Sequence, residues 1–330
     1  MEYRININNF CWRRIAPAIA LLVITCSAPT RAWCGGNPSL WASFYSGDIE
    51  SYSSGQLKKN GAPKPVQLSL TFAGGLAFDK SHNLWVQGGD ALSRFTPAQL
   101  RKLKKDPSPT AAVNITSTSF IDLGGCAFDS QGNLWVTDFE NFSLDELSKA
   151  QLDAGTAEVT PAVVITSSDL VDAQFVAFDG SGDAWVGNQD ENKIVEFSAG
   201  QLTTGGARTP VVVLTSDGSG SIDISGQIAF DKDGNLWVAN YGGTVVEFAG
   251  SQLGSSGDPT PTVTLSSASF DGPWGLTFDS KGDLVVANYN NGSIDKFTPK
   301  QIKVSGAPTP SVTITGTQTE SGQITFGPAS

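Results

Sequence analysis

Histidine is almost absent from the 330 residues: His82 is the only one. No H-E-x-x-H pair, G-x-S-x-G elbow or glycine-rich phosphate loop occurs, which excludes the zinc, acyl-transfer and nucleotide chemistries that those spacings serve. Basic residues are scarce as well, with 21 Lys plus Arg against 32 Asp plus Glu and a net charge of −11. A nucleic-acid groove or anionic membrane surface needs clustered Lys and Arg, so neither is expected as a partner. Four cysteines do not make a disulfide framework. Two of them, Cys11 and Cys26, precede the folded part, and Cys126 sits in an apolar GGCAFD segment where it reads as a small buried hydrophobe.

Long apolar runs are missing too. The longest, Ile15 to Ile24, follows Arg13 and Arg14 and is too short to span a bilayer. It reads as a secretory leader over residues 1–32, with cuts after Ala28 or Ala32. Acylation at Cys26 is the alternative. A short linker, 33–38, then precedes a single domain over 39–330, and the exported product is expected in the periplasm or outside the cell.

What the sequence has in quantity is glycine (36), proline (17) and phenylalanine (18), arranged in a repeat. The segments GLAFDKSHNLWV, GCAFDSQGNLWV, FVAFDGSGDAWV, QIAFDKDGNLWV and GLTFDSKGDLVV are followed by a last start, QITFG. Their phenylalanines, Phe78, Phe128, Phe178, Phe230, Phe278 and Phe326, are 50, 50, 52, 48 and 48 residues apart. Such a period signals repeated supersecondary units, and the alternation within each unit predicts short antiparallel strands. The D-x-x-G-N stretch predicts a tight turn between the first two. Trp41, Trp85, Trp135, Trp185 and Trp237 mark the second strand, where Val285 stands in the last copy. A recurring Gln-Leu or Gln-Ile pair follows the third strand, with one helical turn expected at Thr96-Pro97 and Thr298-Pro299. Proline precedes the fourth strand, at the edge of the sheet, with Pro109 in the second copy. The first copy starts at its second strand and the last stops after its first, so the two halves complete one sheet. This predicts an all-β, six-bladed β-propeller with four antiparallel strands per blade. An open β-solenoid is the rival, and it has no need of complementary halves.

The unit A-F-D-x-x-G-N-L-W-V-A-N, clearest from Ala229 to Asn240, resembles the NHL-repeat propellers and the wider gluconolactonase-like (SMP-30, regucalcin-like) and virginiamycin B lyase-like six-bladed folds. The resemblance spans about residues 39 to 330. It implies architecture more than activity, since this scaffold hosts lyases, lactonases and binding modules. In a propeller of this order the loops entering each inner strand and those leaving each second strand share one face. There the candidate ligand-binding residues are Asp138, Asn188, Asn240, Tyr241, Asp271, Trp274, Asn288 and Tyr289, suited to a carbohydrate, peptide or cation. The amides also fit ordinary turn bonding. Trp274 stands outside the repeated tryptophan column and is a candidate stacking residue.

The resemblance implies no metal site. At the positions before the inner strand, where the lactonase-like relatives hold their ion, this chain has Gly74, Gly124, Gln174, Gly226, Trp274 and Gly322, which do not supply the oxygens that Ca²⁺ needs. A lyase-like base would be histidine, yet His82 lies in a turn on the opposite face. No catalytic or metal-ligating residue is therefore assigned and no cofactor is expected. The function expected is a monomeric, non-catalytic binding module for a protein or small polar ligand at the channel mouth. The alternative is a divergent metal-dependent lactonase-like or lyase-like enzyme that uses Ca²⁺ and the upper-face carboxylates.

Overall fold

The computed structural model describes residues 38–330. The expected leader, nearly all of the 33–38 linker and Cys34 lie outside the described residues. Six small sheets surround one axis. Blade 1 is built from both ends of the chain: Ser39–Phe44, Asp48–Tyr52 and Val66–Ser69 with Ser321–Gly327 as the inner strand. The closing register pairs Leu40 with Phe326 and Trp41 with Thr325. Blades 2 to 6 follow in order, with inner strands Leu76–Phe78, Leu123–Phe128, Ala173–Phe178, Ser225–Phe230 and Pro273–Phe278. Each leads to a second, a third and an outer strand, all antiparallel.

The repeated residues explain the blade. In blade 3 the Asp129 carboxylate accepts the backbone N–H groups of Gln131, Gly132 and Asn133, the Asn133 amide and the Trp135 indole N–H. One side chain thus closes the turn and anchors the tryptophan. The indole then packs edge-on against the phenylalanine of the next blade, as in Trp135–Phe178, Trp185–Phe230 and Trp237–Phe278, with centroids 5.8–6.2 Å apart. Aromatic contact of this kind adds to the burial of large apolar area, so the repeat unit and the inter-blade joint are made by the same residues. Where Val285 replaces tryptophan, Asp279 receives the Lys296 ammonium instead, and Asp283 shares it.

Outer edges are covered from the neighbouring blade. In five of the six blades the Gln-Leu loop lays a short parallel segment on the outer strand before it: Gly206–Ala207 on Val163–Thr166, and single bridges at Gly61, Glu158, Gly257 and Gly306. On the outer strand of blade 1, the Ser69 N–H donates to Pro107 O of the blade 2 loop. The recurring glutamine holds that loop, because its carbonyl accepts from the turn and its amide donates to the carbonyl ahead of the outer strand, as Gln151 does to Thr160 and Gln252 to Thr260. Unpaired edges are thereby removed. Thr96-Pro97 opens the helix Pro97–Leu100 with a full capping box. Thr298-Pro299 forms only a turn, although Gln301 still caps Thr298. A helix not expected, Lys149–Ala154, uses Ser148 and Gln151 in the same way. In blade 2 the residue that takes the proline column is Ala111; Pro109 lies two residues ahead of it. Cys126 is buried as a free thiol.

Candidate functional site

The axis is filled rather than open. Gln323 accepts the N–H groups of Leu76 and Cys126 and donates to Cys126 O, so one amide joins blade 1 to blades 2 and 3. Gln227 accepts from Leu276 and Ile324 and donates to Ile324 O, joining blade 5 to blades 6 and 1. Inner strands come so close that a Cβ on Gly75 would stand 2.8 Å from Gly124 O, and one on Gly226 2.5 Å from Trp274 O. Glycine is required at both for this approach.

Above this plug lies a blind cavity of about 600 Å³. Six of its walls come from one sequence column, the residue four places after the second-strand tryptophan: Tyr45, Gly89, Phe139, Gln189, Tyr241 and Tyr289. Phe72, Phe175, Trp274, Gln87, Gln174 and Asp122 complete much of the lining. Bulges position two of these residues. The inner-strand register shifts between Ala173 and Phe175 and between Pro273 and Gly275, and a bulge re-aims the residue within it. Gln174 and Trp274 consequently reach the cavity.

The aromatic wall is interlocked. Trp274 stands 5.9 Å from Tyr289, 6.2 Å from Tyr241 and 5.8 Å from Phe175, with ring planes between 66° and 90° apart. Its indole N–H donates to the Tyr45 hydroxyl at 3.4 Å. Burial pushes the Tyr45 hydroxyl up to about 12, so it stays protonated at any working pH. Tyr241 donates to Asn290, which donates to Asp271. At the rim, Ile224 has φ +47°, a left-handed conformation costly for a β-branched residue. The aligned residue of blade 6 is Gly272 at φ +67°.

Of the candidate residues drawn from sequence, Tyr241, Trp274 and Tyr289 come together in the lining, and Asp271 is exposed on the rim. Asp138, Asn188, Asn240 and Asn288 stand one column earlier, fully buried, and hold the rim loops from behind. Asp138 accepts the N–H groups of Ile121 and Asp122 and the Asn141 amide. Asn240 accepts from Asp223 and donates to Ser221, while Asn288 accepts from Asp271 and donates to Ser293 and Asp295. Asn188 donates to Asp169 O. The sequence reading passed over Tyr45, Phe72, Phe139 and Phe175. A signal for two of them existed, since Tyr45 and Phe139 share the column of Tyr241 and Tyr289, visible once the copies are aligned on tryptophan.

Acid surrounds the mouth. The Asp122 carboxyl is raised by burial first, then by Glu140 and Asp138. Asp172 is raised by burial and by a hydrogen bond shared with Asp190. Among the described residues no group of three or more His, Cys, Asp or Glu side chains is placed to hold a metal ion.

Residues 270–297 match the NHL repeat family model, and no curated protein matches the sequence at a significant level. Solved structures share the fold at low identity. A protein of unknown function from Bacteroides caccae is 9% identical, covers 89% of this chain and 100% of its own, and has a TM-score of 0.62. The match to a nidogen/laminin complex is 15% identical, covers 88% of this chain and 98% of the other, and has a TM-score of 0.58. A catalytically inactive virginiamycin B lyase from Staphylococcus aureus with quinupristin is 11% identical over 82% of this chain and 84% of its own, with a TM-score of 0.53. The chain is a six-bladed β-propeller with a match to the NHL repeat in its sixth blade.

Proposed function

We propose that this propeller is a non-catalytic binding module whose ligand seats in the blind cavity. The observation that carries the reading is the interlocked aromatic wall above a sealed axis, a concave and mostly apolar site with a few fixed polar groups, of a volume suited to small ligands. Tyr241, Trp274 and Tyr289 are the contact residues in this reading. Asp138, Asn188, Asn240 and Asn288 act behind them by fixing the loops, and Asp271 by holding the Asn290–Tyr241 chain. The ligand is a small polar molecule with apolar faces, or an exposed side chain of a partner protein. Support for a protein partner is the nidogen/laminin likeness, which is a likeness of fold.

The test is calorimetric titration of the protein with a panel of saccharides, peptides and organic cations, with NMR of each ligand afterwards. Binding that is lost by at least tenfold in Trp274→Ala, with ligands recovered unchanged, supports the reading; a consumed ligand overturns it. A second reading, a divergent metal-dependent lactonase or lyase, is favoured by the perturbed Asp122 and Asp172 carboxyls. It requires a calcium-linked rise in Tm, because an ion that binds only the native state stabilises it by mass action. Export as a monomer is part of the proposal, motivated by the leader; no helix among the described residues is long and apolar enough to cross a membrane. N-terminal sequencing of the exported protein is expected to begin at Pro29 or Trp33.

A further inference from the structure

We infer that the cavity selects an organic cation, a quaternary or alkylated ammonium group, over a neutral ligand of the same shape. The inference rests on the binding reading above and adds the charge of the ligand. Three observations converge on it.

First, Trp274, Tyr241 and Tyr289 meet nearly edge to face, with the two tyrosines 5.8 Å apart at 74°. Rings set at steep angles form the corner of a box, and the negative faces of such rings attract a cation within about 6 Å of their centroids. Second, the lining contains a carboxylate, Asp122, and no lysine, arginine or histidine. Third, the carboxylates around the mouth reinforce one another: Glu140 and Asp138 act on Asp122, Glu320 acts on Tyr289, and Glu140, Asp190 and Glu191 act on Asp172. The lysine on this side, Lys193, is already engaged by Glu191 at 2.5 Å and Asp169 at 3.6 Å. An anionic ligand would meet a negative field with no counter-charge. A neutral one would leave Asp122 half-buried and unpaired, whereas a diffuse alkylammonium matches both the rings and the carboxylate without forming a strong hydrogen bond to either.

The experiment titrates the protein with choline and with 3,3-dimethylbutan-1-ol, in which carbon replaces the quaternary nitrogen. Choline is expected to bind at least about tenfold more tightly. Asp122→Asn is expected to weaken choline several-fold with a smaller effect on the neutral analogue, and Tyr241→Leu, at a contact residue, to weaken both with the larger loss for choline, with unaltered melting curves showing that both variants fold. Equal affinities, or a choline affinity insensitive to both substitutions, would overturn the inference and leave the binding reading standing. Binding of neither probe also overturns it, and the saccharide and peptide arms of the panel then decide the binding reading separately.

Discussion

Two aligned residue pairs show how one atom changes a site. In blade 6, Asn288 donates to Asp295 Oδ2 at 3.0 Å, and Thr313 donates to the other oxygen at 2.7 Å. In blade 3 the same places hold Asp138 and Asp145, two carboxylates. Asp145 is 1% exposed, its Oδ1 has no partner, and burial, with Asp138 adding to it, raises it to about 7. The folded state therefore keeps a proton that the unfolded chain releases near 3.8. Stability from this group is full below that value and is lost as the pH climbs through about 7, at up to about 1.4 kcal/mol per pH unit in between. Asp145→Asn removes the titrating carboxyl while keeping its shape. It is expected to raise Tm by roughly 2–4 °C at pH 8 and by less at pH 5, as scanning calorimetry at the two pH values would show.

At the scale of elements, the inner strand and the joint between blades carry the architecture. The amide of Gln323 satisfies two buried N–H groups on other blades. Gln323→Leu orphans both and is expected to cost about 1–3 kcal/mol for each buried donor left unsatisfied, measured by urea unfolding. Trp237→Ala removes a side chain that is 2% exposed together with its contact to Phe278, an expected loss of about 3–5 kcal/mol. Strand order and the role of the tryptophan column were legible because period-two alternation and turn chemistry are local. Capping by Thr96 was legible for the same reason. The fate of Thr298-Pro299 was not, since the same cap signal ends in a turn there. Nor was the lining of the cavity: a shift of one residue turns Asn240 into the loop and Tyr241 into the cavity, and no local rule fixes that choice at the end of a strand.

For the whole molecule, the decisive feature is closure. Ser321–Gly327 is hydrogen-bonded to Ser39–Phe44 along its length, and its glutamine also plugs the axis. Removing residues 322–330 opens blade 1, exposes the Ser39–Phe44 edge and frees the amide bridges to blades 2 and 3. Deletion is expected to lower Tm by more than 10 °C and to produce concentration-dependent aggregation by light scattering, as an unpaired strand edge invites association. A Tm equal to that of the full chain would mean that closure contributes little.

The sequence by itself determined the number of blades, the strand order within each and the splitting of one blade between the termini, because these follow from a repeat period and from alternation, both written locally. It also determined that acid outweighs base. The tertiary structure alone decided that the axis is sealed and that aromatic residues from all six blades gather above it. Those residues are far apart in sequence, and although Tyr45, Phe139, Tyr241 and Tyr289 share one column of the repeat, only the closing of a ring, with bulged inner strands packed too tightly to leave a bore, brings them to one cavity.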